Sequence, residues 1–191
     1  MPVMAGEPGV ARTPTILYAS FHSALPVAIQ AALEEEVASI MEPMGFRFVW
    51  RSLSASGGTE VSGDLAVLNF KGHCDLAGLS AHTTSAGALG WTHVSDGVVL
   101  PFSDIDCDGI RDFLGRTLMV YRPVEREALF GRALGRVLAH ELYHVFAATT
   151  RHGDEGVAKP MYSVQDLLTN DFRFEDREAA VLKSSKAAPL Q

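Results

Sequence analysis

The sequence predicts a mixed α/β (α+β) fold, one sheet with helices packed on it, on three observations. β-rich runs and helical stripes follow one another in the order β-α-β-β-β-β-α, and a loop and a further helical segment close the chain. Ser95-Asp96-Gly97 joins two β-rich runs, a hairpin signal that makes one strand antiparallel and sets it at a sheet edge. A long amphipathic stretch, about residues 125–150, carries His140-Glu141-Leu142-Tyr143-His144.

Taken in order, residues 1–13 hold Pro2, Gly6, Pro8 and Gly9 without periodicity and read as a flexible arm. Residues 15–20 (TILYAS) are a buried strand by their β-formers. After Pro26, Leu33, Val37, Ile40, Met41 and Met44 form a helical stripe that Pro43 and Gly45 close, with Glu34, Glu35, Glu36 and Glu42 expected on a solvated face. Residues 46–53 alternate as a strand, 54–63 are a Ser/Gly loop, and 64–71 form a third strand, apolar on both faces and therefore central. The loop 72–88 holds His73 and His82, expected to be solvated, with Asp75 beside them as the candidate for a second metal site. Strands 89–94 and 98–105 make the hairpin. Asp104-Ile105-Asp106-Cys107-Asp108-Gly109 opens like a Ca2+ loop, but the twelfth position is Gly115, so an acidic turn is expected there. Past the long helix, 151–160 is a loop, Ser163 caps a short helix with Asp166 at its third position, and about 175–186 is helical.

The 191 residues suit one domain, 14–191, after the arm, and the composition, 47% hydrophobic and 20% charged, is that of a globular chain with a sizeable core. With 16 basic and 23 acidic side chains the net charge is −7, which argues against a nucleic-acid partner. No apolar run approaches the roughly 18 residues of a membrane span. Met1 to Thr13 shows no secretion signal, which makes the cytoplasm the default compartment, or a secreted one if the start is mis-assigned or trimmed. A monomer is the default oligomeric state. Cys74 and Cys107 are expected as buried free thiols rather than as a bridge.

Functional chemistry concentrates in HExxH. Residues four apart share a helix face, so His140 and His144 can point at one ion, and Glu141 can reach a water bound to it. Two imidazoles and a carboxylate base are the zinc-hydrolase arrangement. A catalytic Zn2+ wants a third protein ligand. His152 is the next histidine, and Gly153 favours a turn that returns its ring to the first two.

The run from His140 to Ser163, HELYHVFAATTRHGDEGVAKPMYS, resembles the metzincin zinc peptidases, above all the matrixin-like ones. These carry HExxHxxGxxH and then a Met-turn, to which Ala158-Lys159-Pro160-Met161-Tyr162 is similar. Gly87-Ala88-Leu89-Gly90-Trp91-Thr92-His93 and Pro101-Phe102-Ser103-Asp104-Ile105-Asp106 look like the family's hairpin, so the resemblance covers about residues 14–165. It implies a mostly parallel five-stranded sheet with an antiparallel edge strand and two long helices packed on it. An N-terminal subdomain, 14–150, would be followed by a small C-terminal helical one, 151–191, with the third ligand and Met-turn. It further implies hydrolysis of a peptide or protein substrate, with Glu141 as general base and His140, His144 and His152 on zinc. Gly90, Trp91, Thr92 and His93 would lie on the strand that aligns substrate, and Met161 would be an apolar floor beneath the metal. Tyr162 would fix the turn, reach the oxyanion or, as the plainest expectation, be a core tyrosine. The chain departs from the family where Ala147 replaces its glycine and where the third histidine comes two positions late. Both departures predict a helix that runs longer before it turns. No cysteine-switch propeptide is visible in 1–13.

Two other readings compete. A gluzincin-type hydrolase would take a carboxylate as third ligand, from Glu175, Glu178, Asp154 or Glu155. A non-catalytic protein would use zinc to brace its fold or would hold a peptide without cutting it.

Overall fold

The structure, a computed structural model, describes residues 14–55, 64–81 and 87–187; the expected arm 1–13 and His82 lie outside them. Strands β1 (Thr15–Phe21), β2 (Phe48–Ser52), β3 (Leu65–Lys71), β4 (Gly90–Ser95) and β5 (Val98–Asp106) form one sheet in the order β2-β1-β3-β5-β4. All neighbours run parallel except β4, which pairs antiparallel with β5 at the edge, as the Asp96-Gly97 turn predicts. β3 is central, but only one of its faces is sealed: Ala66, Leu68 and Phe70 are fully buried, while Asn69 and Lys71 are exposed on the other.

Helices α1 (Val27–Met41) and α3 (Pro123–Phe146) pack together and on the sealed face. α1 buries Ile29, Leu33, Val37, Ile40 and Met41, spaced for one helical face. The two helices approach at Gly131 and Gly135. A Cβ at Gly131 would meet the Ile29 carbonyl oxygen at 2.5 Å, and one at Gly135 the Leu33 carbonyl oxygen at 2.9 Å, so no side chain fits at the crossing. Two short helices close the chain, α4 (Val164–Leu168), capped by the Ser163/Asp166 capping box, and α5 (Asp176–Ala187).

Several expectations are corrected. The run Asp104–Gly109 is no acidic turn: it is the end of β5 and the start of a helix absent from the sequence reading, α2 (Cys107–Leu118). Asp106 caps α2 by accepting from the Gly109 N–H at 2.9 Å. Its neighbours are taken by other side chains, Asp104 by Lys71, Asn69 and His93, and Asp108 by His73 and Arg111, so these carboxylates do not face one ion. Ile110, Leu114 and Leu118 gave a helical stripe there, which Gly109 and Gly115 disguised. Cys74 and Cys107 form a disulfide instead of two free thiols. Glu36 is not on a solvated face; it receives the fully buried Arg136 guanidinium at 2.7 Å. Finally, α3 stops at Phe146 rather than near Thr150.

A candidate metal centre

His140, Glu141 and His144 sit on the last two turns of α3 and are all buried. Beyond Phe146 the chain reverses tightly. The Thr149 N–H reaches back to the His144 carbonyl at 3.1 Å and the Ala148 N–H to the Val145 carbonyl at 3.3 Å. That pair of bonds is the Schellman end of a helix, which needs a left-handed residue, and Ala148 takes that role with φ 46°. The helix therefore ends at Phe146 without a glycine, Ala147 still in helical backbone and Ala148 making the left-handed turn. The chain that follows brings His152 back beside the helix.

The three imidazoles converge. The His152 ring centroid lies 4.8 Å from that of His144 and 5.2 Å from that of His140, and the candidate ligand atoms of all three lie within 4.8 Å of one another. Among the described residues this is the one group of three or more His, Cys, Asp or Glu placed to share an ion. Asp154, Glu155 and Glu175 are exposed and outside it, and Glu178 is buried beneath Gly153, where an added Cβ would come within 3.1 Å of its carboxyl. His73 pairs with Asp108 instead of joining a second group.

Backbone carbonyls set the tautomers. His140 Nδ1 lies 2.8 Å from the Val157 oxygen, and His144 Nδ1 lies 2.8 Å from the Thr149 oxygen. A carbonyl only accepts, so each Nδ1 carries the proton and each Nε2 an open lone pair. Those two Nε2 atoms face each other at 3.0 Å. Two lone pairs at that distance repel unless a cation lies between them, so the donor set fits a metal ion. Burial keeps the rings neutral: it lowers His140 to about 3, against the pull of the Val157 bond, and it lowers His144 and His152 too.

Glu141 stands beside this group. Burial pushes its carboxyl up to about 7, opposed by the Thr92 hydroxyl, which donates to Oε2 at 2.8 Å. Both belong to a cleft of about 810 Å³ whose walls are Gly87 to Thr92, the helix face Val137-His140-Glu141-His144, and the returning chain at Thr149, Thr150, His152 and Pro160 to Tyr162. Apolar Val94, Val99 and Phe113 extend it.

The remaining sequence candidates divide. Gly90 and Thr92 face Glu141. Trp91 borders the cleft while its ring lies 4.5 Å from Lys71 Nζ, and His93 turns to the outer face of the sheet, 2.8 Å from Asp104, because strand residues alternate sides. Met161 is 80% exposed on the cleft rim, not a floor under the triad. The side facing α3 is taken by its neighbour Tyr162, whose hydroxyl donates to the Val157 oxygen and lies 2.9 Å from His140 Nδ1. Tyr162 is thus part of the support of His140, not only a core tyrosine.

Sequence reasoning missed Ser103, which is buried and bonded to Thr92 at 2.9 Å. Counting a regular ladder back from Ser95↔Val98 would set Thr92 against Pro101. An irregularity between Thr92 and Val94 moves its partner to Ser103, and no residue pattern announces that shift.

No family model and no curated protein matches this chain.

Proposed function

We propose that this protein is a zinc-dependent metallopeptidase that cleaves peptide bonds with a water molecule, His140, His144 and His152 holding the ion and Glu141 acting as general base. The observation that carries the reading is the convergence of three neutral imidazoles, two with Nδ1 tied to carbonyls, next to a buried carboxylate on an open cleft. Three nitrogen donors and an open side suit catalytic zinc; a hard ion such as calcium would seek oxygen. The motif resemblance to metzincins points the same way.

A bound zinc ion would supply Lewis-acid polarisation of the substrate carbonyl and acidify a water molecule. The chain's own residues would do the rest. Glu141 takes a proton as the water oxygen bonds to the carbonyl carbon, and returns it to the amine nitrogen as the C–N bond breaks. β4 lies at the sheet edge, so its free backbone groups can receive an extended peptide as an added strand along the cleft. Val137, Phe113 and Val99 offer apolar surface to its side chains.

The test combines metal analysis with turnover. The purified chain should bind about one equivalent of zinc and digest casein, and chelation should stop digestion until zinc is returned. Glu141→Gln should retain the zinc and lose about 10²–10⁴-fold in rate. His152→Ala should no longer hold a stoichiometric ion. Full turnover in Glu141→Gln would remove the general base from the scheme, and undiminished zinc in His152→Ala would require a different third ligand.

A further inference from the structure

The two oxygens of Glu141 stand in different surroundings. Oε2 accepts from Thr92 Oγ1 at 2.8 Å, and the same hydroxyl lies 3.1 Å from the Glu141 backbone oxygen. Oε1 lies over Gly90, where a Cβ would come within 2.9 Å of it. Behind Thr92 stands its cross-strand partner Ser103, 2.9 Å away and 1% exposed. In the ionised form in which Glu141 can act as a base, its carboxylate and its backbone carbonyl can only accept, so the Thr92 proton points to Glu141 and the Ser103 hydroxyl must donate to Thr92. The chain of hydroxyls has one direction, and each donor fixes the rotor of the next.

We infer that Thr92 and Ser103 are positioning residues for the general base: together they hold Oε2 of Glu141 and leave Oε1 as the oxygen that takes and returns the proton. This rests on the peptidase reading above. A donated hydrogen bond makes Oε2 the less basic of the two oxygens, and the absence of a side chain at Gly90 keeps Oε1 open. The proton leaves the attacking water for Oε1 as the oxygen–carbon bond forms, and passes from Oε1 to the amine nitrogen as the C–N bond breaks, so the carboxylate is regenerated and nothing is oxidised. Thr92 and Ser103 belong to β4 and β5, so the hairpin that borders the substrate cleft also aims the base.

Steady-state hydrolysis of a peptide substrate by the zinc-loaded full chain tests this, with zinc content measured in each variant. Thr92→Val keeps the shape and removes the hydroxyl; it should retain its zinc, lower kcat about ten- to hundredfold and leave KM within about twofold. Thr92→Ser should restore most of the rate, and Ser103→Ala should fall between. A second readout needs no turnover: thermal unfolding of the metal-free protein in the cycle of Thr92→Val and Glu141→Ala. The Tm loss from Thr92→Val should be clearly smaller once Glu141 is gone. Additive Tm losses, an undiminished kcat in Thr92→Val, or no recovery in Thr92→Ser would each overturn the assignment. A wild-type chain without chelator-sensitive hydrolysis overturns the peptidase reading itself, and the role of Oε1 with it, whatever the cycle shows.

Discussion

Tyr162 touches the site through one hydroxyl, which donates to the Val157 carbonyl and sits 2.9 Å from His140 Nδ1. The hydroxyl has a single proton, already given to Val157, so toward His140 it can only accept. It therefore adds to the Val157 oxygen as an acceptor for the Nδ1 proton and keeps the Nε2 lone pair turned to the other two rings. Tyr162→Phe leaves the aromatic contact with Phe172, at 5.4 Å, in place, so the fold should survive. The expected outcome is zinc affinity weakened about ten- to hundredfold, read by competition with a chromogenic chelator. Unchanged affinity would mean that the Val157 carbonyl alone orients the ring. At this scale the sequence was uneven. His140, Glu141 and His144 were legible because helical spacing fixes which side chains share a face. Met161, expected as the floor beneath the metal, faces outward and Tyr162 faces in, because in a non-helical stretch only packing decides which of two neighbours turns inward.

The end of α3 is the element on which the place of His152, the proposed third ligand, depends. A bare HExxH gives no position for His152; the reversal at Ala147 to Thr149 supplies it, and it does so through an alanine in left-handed backbone. That conformation costs an L-residue roughly 1–2 kcal/mol, while glycine loses more chain entropy on folding, roughly 0.5–1 kcal/mol. Ala148→Gly should therefore gain up to about 1 kcal/mol, raising Tm by about 2–4 °C with zinc content unchanged. A fall in Tm would show that the turn does not carry this strain. The sequence placed the reversal too late because it took the missing glycine as a continuing helix, whereas hydrogen bonds to the His144 and Val145 carbonyls impose the end on whichever residue stands there. Arg136 serves the next layer out. One helical turn before His140, its guanidinium is held by Glu36 of α1 and donates to the Asp166 and Thr169 carbonyls. Burial lowers the pKa of its guanidinium and the Glu36 carboxylate opposes that shift, and the arginine's bonds tie the C-terminal segment with Tyr162 to both long helices. Reading the stretch as amphipathic gives α3 an apolar face and cannot show a charged strut inside it.

Across the whole molecule, the sheet order was legible where local chemistry dictates it. The Asp96-Gly97 turn fixes the antiparallel edge, and the buried runs of β1 and β3 fix the centre. Joins between distant segments were not legible, and the chief of them is the bridge Cys74–Cys107. It ties the start of the segment leading to β4 to the first residue of α2, a helix the sequence reading lacked, so neither partner's position was known. The bridge spans 33 residues of chain. Closing a loop of that length in the unfolded state is worth about 3–4 kcal/mol by the chain-entropy account. Both cysteines are buried, so the fold should protect the bond from mild reductant, and the double variant Cys74→Ala/Cys107→Ala is the better probe. For a chain of this size the variant should unfold roughly 6–16 °C lower than the oxidised protein. Reductant during unfolding should bring the wild type down toward the variant and leave the variant where it is. Because β4 and Gly90 come directly after the clamped segment, the loss should also reach the cleft, which under the proposed peptidase function reads as a higher KM for peptide with zinc still bound. A wild-type Tm indifferent to reductant would return the two cysteines to the free thiols that composition suggested, and the segment before β4 would then be held by packing alone.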